Sequence, residues 1–366
     1  MEEKILIDII AGARPNFMKI APIIHAIQAK QAEGGRLRYR LVHTGQHYDA
    51  RMSGDFFAQL GIPEPDVNLE VGSGTQAEQT AVIMIRYEKL LIEQRSDLCL
   101  VVGDVTSTMA CSIAAQKLRV PVAHVEGGIR SGDWAMPEEI NRMVTDAITN
   151  YFFTTSEVAN DNLRRSGVSD DRIHFVGNTM IDTLLANMER MCPPSFWVDL
   201  ALQPKEYFVI TLHRPANVDA VDGFARLVTE IGQATRGMPV VFPLHPRTAK
   251  ALGEMGGLPS NIYVVEPQPY LEFNYLVKHA KAVITDSGGI TEETTVMGVP
   301  CLTLRDTTER PETITMGTNE LIGTDPAKLK PALDRLFAGE WEKGAIPELW
   351  DGRTGERIVE ILERIL

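Results

Sequence analysis

Ala282-Val283-Ile284-Thr285-Asp286-Ser287-Gly288-Gly289-Ile290-Thr291-Glu292-Glu293 runs from an apolar, β-branched stretch through Ser-Gly-Gly into a helical pattern. Strand, tight turn and helix in that order mark an α/β unit. Two glycines at such a turn let a ligand approach the backbone with no Cβ in the way. The N–H groups at the helix start, with the positive end of its dipole, suit a phosphate. Glu292 and Glu293 repel a phosphate but accept hydrogen bonds from neighbouring ribose hydroxyls. Arg305-Asp306-Thr307-Thr308-Glu309-Arg310-Pro311 follows and returns Arg310 as a charge partner. Together these features read as a nucleoside diphosphate site, with Ser287, Gly288 and Gly289 at its turn.

The composition narrows what else the chain does. With 366 residues it has room for two ordinary domains, and 44% hydrophobic with 23% charged residues fits a globular protein with a sizeable core. A net charge of −13 argues against nucleic acid as a partner. No apolar run approaches membrane-spanning length, so no membrane partner is expected. Cys99, Cys111, Cys192 and Cys301 lie far apart with no CxxC pair and read as small hydrophobes in a reducing compartment. The N-terminus enters a strand directly with no leader pattern, and the expected location is cytoplasmic.

Strands alternate with helices along the whole chain. The first half has strands at Lys4–Ile10, Arg38–His43, Leu98–Val102 and Val122–Val125, and Tyr151–Thr154 is expected to close it. Met191-Cys192-Pro193-Pro194 breaks the pattern as a linker. A second series runs through Tyr207–Leu212, Pro239–Phe242, Ile262–Val265, Ala282–Thr285 and Val299–Leu304. The reading is α/β: two Rossmann-like doubly wound domains facing across a cleft. The first covers 1–185, joined by a C-terminal helix over 353–366, and the second covers 200–350. Ligands in such sheets bind beyond the carboxyl ends of the strands. Arg14, His47, Asp104, Glu126, His213, His245 and Ser287 all follow a predicted strand in this way.

Gly12-Ala13-Arg14-Pro15 is neither GxGxxG nor a P-loop, which weakens dinucleotide redox and nucleotide triphosphate hydrolysis. It aims Arg14 and Lys19 at the ligand side instead. Asp104 follows Val102-Gly103 and serves either as a helix cap or as a functional acid. Glu126 follows His124-Val125, an unusual place for a structural carboxylate. Glu138 and Arg142 are four apart on one predicted helix and can form an ordinary salt bridge. His213 at a strand end is a plausible proton donor or phosphate partner. His43 and His47 have i,i+4 spacing, but a Thr-Gly break separates them and no metal site is expected. Arg36, Arg38 and Arg40 alternate beside a strand and read as one solvated face.

These residues resemble the non-hydrolysing branch of the UDP-N-acetylglucosamine 2-epimerase family. The match runs through Gly12-Ala13-Arg14-Pro15, Thr44-Gly45-Gln46-His47, Gly103-Asp104, His124-Val125-Glu126 and Pro137-Glu138-Glu139-Ile140-Asn141-Arg142. It continues through His213-Arg214, Asp286-Ser287-Gly288-Gly289 and Arg305 to Glu312, in order over nearly the whole chain. The resemblance implies a glycosyltransferase-B type of fold and C2 inversion of UDP-GlcNAc to UDP-ManNAc without a cofactor. UDP leaves C1 as the C2 hydrogen is lost, a 2-acetamidoglucal forms, and UDP re-adds with a proton delivered to the opposite face.

The same resemblance implies catalytic roles for Asp104, Glu126, Glu138 and His213, with acid and base unassigned among the carboxylates. It implies substrate contacts by Arg14, Lys19, Gln46, His47, Arg142, His245, Ser287, Gly288, Gly289 and Arg310. Glu293 falls to the ribose and Phe273 to uracil, and a homodimer is usual for relatives. Gln46-His47-Tyr48 and His213-Arg214-Pro215-Ala216 differ from the Gln-His-Arg and His-Arg-Arg-Glu of members activated by a second UDP-GlcNAc. The former also resembles relatives acting on UDP-2,3-diacetamido-glucuronic acid. That sugar and a glycosyltransferase of the same fold are the alternatives.

Overall fold

The computed structural model describes residues 4–45, 57–244, 246–253, 255 and 257–366, the side chains of Arg14, Val221, Pro246, Arg247 and Lys250 excepted. Gln46, His47, His245 and the Arg14 side chain therefore lie outside what is described. Two units divide the chain: Met1–Ala186 with Glu348–Leu366, and Asn187–Pro347.

The first unit is built on a seven-stranded sheet. In chain order its strands are β1 (Ile5–Ala11), β2 (Leu37–His43), β3 (Val67–Asn68), β4 (Leu98–Val102), β5 (Val122–Val125), β6 (Tyr151–Thr154) and β7 (Ile173–Phe175). Their spatial order is β3-β2-β1-β4-β5-β6-β7, and the ladders are parallel. The five residues of β4, Leu-Cys-Leu-Val-Val, are all buried, as a strand covered on both faces requires. Tyr151–Thr154 does not close the sheet, because β7 pairs beside it. A three-residue edge strand needs no long apolar run, so its sequence gives little sign of it.

Arg40 corrects the expectation of a solvated arginine face. It stands directly across from Asp8 in the β1–β2 register. Its Nε and Nη2 donate to the two Asp8 oxygens at 2.7 and 2.8 Å, and Tyr87 donates its hydroxyl to the same carboxylate at 3.0 Å. Arg40 is 7% exposed and Asp8 is fully buried. Each charge is tolerable in the core only because the other is opposite it.

Residues 348–366 complete this unit. The helix Thr354–Ile365 buries Ile358, Val359 and Leu362. Gly355 donates its N–H to Asp182 at 2.7 Å, and the Trp350 indole donates to the Thr155 carbonyl at 3.1 Å.

The second unit carries β8 (Phe208–Thr211), β9 (Val240–Pro243), β10 (Ile262–Val265), β11 (Ala282–Thr285), β12 (Cys301–Thr303) and β13 (Asn319–Leu321). The order is β10-β9-β8-β11-β12-β13, again parallel. In each sheet the strand order reverses between two neighbours, β1 and β4 in one, β8 and β11 in the other. In doubly wound sheets such a reversal opens a crevice at the strands' carboxyl ends, and ligands bind in it. No helix among the described residues is long and apolar enough to cross a membrane. The four cysteines are free thiols, three of them buried and Cys192 exposed.

Replacing Arg40 by Leu should destabilise the protein by about 3–5 kcal/mol, because Asp8 is left charged in the core. The double replacement with Asp8→Leu should recover most of that loss. Urea unfolding followed by circular dichroism measures both, and an additive double variant would show that the pair is not coupled.

Candidate functional site

The ends of β1, β4 and β5 bring the first set of polar side chains together. The Asn16 side chain accepts N–H bonds from Gly12 and Ala13 and donates to the Val102 carbonyl, tying the turn after β1 to the end of β4. Lys19 therefore points across the strand ends, and its Nζ lies 2.8 Å from Glu126 Oε2. Lys19, expected to contact the substrate, is here the partner of a carboxylate.

Glu126 holds φ at 72°, left-handed for a residue with a full side chain, and is 4% exposed. Such a backbone costs roughly 1–3 kcal/mol and persists only where the surroundings enforce it. Here its N–H is held by the Phe153 carbonyl at 2.9 Å. The strain puts the carboxylate beyond β5 rather than along it.

Asp104 does not cap the following helix; Val105 does, without a side-chain bond. Its carboxylate pairs with Arg142 Nη2 at 2.5 Å. The partner of Arg142 on its own helix, Pro137–Ile148, is Glu139 at 2.7 Å and not Glu138. Glu139 also accepts the N–H groups of Ser131 and Gly132 and the Ser131 hydroxyl. Burial works to raise its pKa, but these donors and Arg142 outweigh it and hold the carboxyl below its ordinary value. An i,i+3 pair fits a helix as well as an i,i+4 pair, so spacing alone did not separate the two glutamates. Glu138 is half-exposed.

In the second unit Asp286 is the hub. It is fully buried and accepts the N–H groups of His213 and Arg214 and the Asn217 amide. His213 Nδ1 lies 2.8 Å away, so any role of this ring toward a ligand falls to Nε2. Burial pushes the Asp286 pKa up, yet the bonds from His213, Arg214 and Asn217 bring it below the usual value.

Ser287 precedes the helix Gly288–Met297 and makes no side-chain cap, which leaves the first N–H groups to other partners. A Cβ on Gly288 would sit 2.5 Å from Glu309 Oε1, so a larger residue here would have to displace that side chain. Glu309 is itself paired with Arg305 at 2.6 Å.

The two acids read as ribose acceptors separate. Glu292 pairs with Arg310 at 2.5 Å. Glu293 turns inward, where Oε1 accepts from the Tyr270 hydroxyl at 3.0 Å and the Asn274 amide at 3.4 Å. Burial pushes its pKa up to about 7, and the two hydrogen bonds offset only part of that. Phe273 is half-buried against the core that includes Val277 and Val283. Tyr270 and Asn274 went unread in the sequence, although both lie on the helix that carries Phe273. Among the described residues no group of His, Cys, Asp and Glu stands close enough to hold a metal ion.

The sequence model of one protein family, UDP-N-acetylglucosamine 2-epimerase, matches residues 29–363. The UDP-N-acetylglucosamine 2-epimerase of Methanocaldococcus jannaschii is 40% identical over 97% of this chain and 98% of its own length. The UDP-2,3-diacetamido-2,3-dideoxy-D-glucuronate 2-epimerase of Pseudomonas aeruginosa is 39% identical over 86% of this chain and 87% of its own. A crystal structure of the Methanocaldococcus jannaschii UDP-GlcNAc 2-epimerase in complex with UDP-GlcNAc and UDP matches with a TM-score of 0.88 at 38% identity. The match covers 98% of this chain and 100% of that one. With its two Rossmann-like sheets, this likeness gives the chain the glycosyltransferase-B type of fold.

The Glu293 carboxyl titrates higher in the folded chain than its ordinary 4.5. Its contribution to stability is therefore full below about pH 4.5 and lost as pH rises through about 7. Glu293→Gln should gain stability over the parent between pH 5 and 8, by on the order of 3 kcal/mol at the upper end. Unfolding midpoints across that range test this, and a difference independent of pH would contradict it.

Proposed function

This chain belongs to the UDP-N-acetylglucosamine 2-epimerase family, and we propose that it interconverts UDP-GlcNAc and UDP-ManNAc by eliminating and re-adding UDP. The observation that supports this most is the strained, buried Glu126 paired with Lys19 beside an Asp104–Arg142–Glu139 chain. A C2 hydrogen on a sugar is weakly acidic, so its removal needs a positioned base and a leaving group that departs in step. Asp104, Glu126 and Glu138 supply the carboxylates, and Arg142 orients Asp104. Lys19 serves as the counter-ion of Glu126.

Charge that develops on the departing diphosphate needs fixed donors. Arg14, Lys19, His213, Arg310 and the backbone of Ser287, Gly288 and Gly289 fill that role. Glu293 accepts from the ribose, Phe273 contacts uracil, and Gln46, His47 and His245 line the substrate. A homodimer belongs to the same proposal: Ile85 and Ile92, 65% and 69% exposed seven residues apart on the helix Gln76–Glu93, give it an apolar face. A monomer in sedimentation at micromolar concentration removes that part.

A second substrate, UDP-2,3-diacetamido-glucuronic acid, is favoured by the Pseudomonas aeruginosa relative, whose identity is nearly as high as that of the Methanocaldococcus jannaschii enzyme.

Incubation with UDP-GlcNAc alone in D2O should give UDP-ManNAc deuterated at C2, and Glu126→Gln should abolish this while binding UDP within about tenfold (roughly 1.4 kcal/mol). Free ManNAc would point to hydrolysis. Turnover of the diacetamido uronic acid sugar alone would move the substrate and keep the reaction, and no turnover without an acceptor would point to transfer.

A further inference from the structure

His124 lies one residue inside the end of β5, is fully buried, and has an oxygen on each side of its ring. Nε2 is 2.8 Å from the Gly103 carbonyl, and Nδ1 is 2.7 Å from Asp146 Oδ1. A carbonyl oxygen accepts and never donates, so Nε2 carries a proton. A neutral ring would then face Asp146 with a lone pair, which is repulsive at this distance unless the carboxyl holds the proton. The other Asp146 oxygen already accepts from the Gly128 N–H at 3.0 Å and from Arg130 Nη1 at 2.6 Å. Those donors favour an ionised carboxylate. Turning the ring over would place carbon against both oxygens, so the alternative orientation fits neither.

We propose that His124 is a positioning residue for the epimerase reaction: a doubly protonated imidazolium, buried beneath the catalytic carboxylates, that holds the Gly103–Asp104 peptide in place. Three observations converge on that peptide. Gly103 donates its N–H to the Val125 carbonyl at 3.0 Å while its own carbonyl takes the His124 proton, so β4 and β5 are stapled at their ends. Gly103 has φ of 67°, and a Cβ there would lie 2.8 Å from Lys19 Nζ, the atom that pairs with Glu126. Asp104 is the next residue, and its backbone carbonyl accepts from the Asn141 amide at 2.8 Å. A small displacement of Gly103 therefore moves Asp104 and disturbs the Lys19–Glu126 pair together.

The consequence for rate rests on the epimerase reading; the protonation state does not. In protein labelled with 15N-histidine, long-range proton–nitrogen correlation at pH 8 should show one ring with both nitrogens protonated. The signal is assigned by its loss in His124→Gln. In Asp146→Asn the ring should fall to a single proton, because the anion that holds the second is gone. A single tautomer in the parent, or two protons retained in Asp146→Asn, overturns the proposal. With UDP-GlcNAc, His124→Gln should lower kcat at least thirtyfold with KM within threefold, and Asp146→Asn should do the same. Turnover of a folded His124→Gln within threefold of the parent overturns the positioning role. Should His124→Gln fail to fold, the loss of one doubly protonated ring in Asp146→Asn assigns the signal instead, and no change there overturns the proposal. A parent that turns over no UDP-sugar refutes the epimerase reading and leaves the spectrum to decide the protonation.

Discussion

A carboxylate forced out of regular backbone and buried beyond a strand end must meet a cation, and Glu126 meets Lys19. The first unit's polar architecture follows from that requirement. Lys19 reaches Glu126 only because Asn16 locks the turn after β1 onto the end of β4. Its ammonium fills the space that a side chain at position 103 would take, so Gly103 stays glycine and the chain turns sharply into Asp104. Arg142 and Glu139 then fix Asp104 from a neighbouring helix. Each acid is held by a partner whose own position is fixed by another contact, the arrangement an active site needs to keep reacting groups within a fraction of an ångström.

The second unit solves a different problem with the same geometry. Its strand-end turns and arginines are held by anions. Asp286 gathers the turn after β8, Glu292 holds Arg310, and Glu309 holds Arg305 against Gly288. Burial raises the Glu293 pKa, and its neutral partners Tyr270 and Asn274 offset only part of that.

Much of this was legible in the sequence. The long apolar strands with helical stripes between them gave both sheets, and the residues after β1, β4, β5, β8 and β11 were recognisable as candidates from strand ends alone. What escaped was short or mutual. β3, β7 and β13 are two or three residues long, lie at sheet edges, and carry no run that marks a strand. Arg40 looked solvated because nothing in a linear pattern says that Asp8 stands across from it. The choice of Glu139 over Glu138 depends on a loop carrying Ser131 and Gly132, which spacing does not encode. His124 reads as a strand residue until the two oxygens beside it are known.

The first unit is discontinuous in the chain: residues 348–366 return to it after the whole second unit has been made. During synthesis, the early sheet therefore waits with Asp182 lacking its Gly355 donor and the Trp350 pocket unfilled. The second unit has no such dependence and is complete in one contiguous stretch. Emergence order and completion order are thus reversed, with the domain that leaves the ribosome first being the last to close.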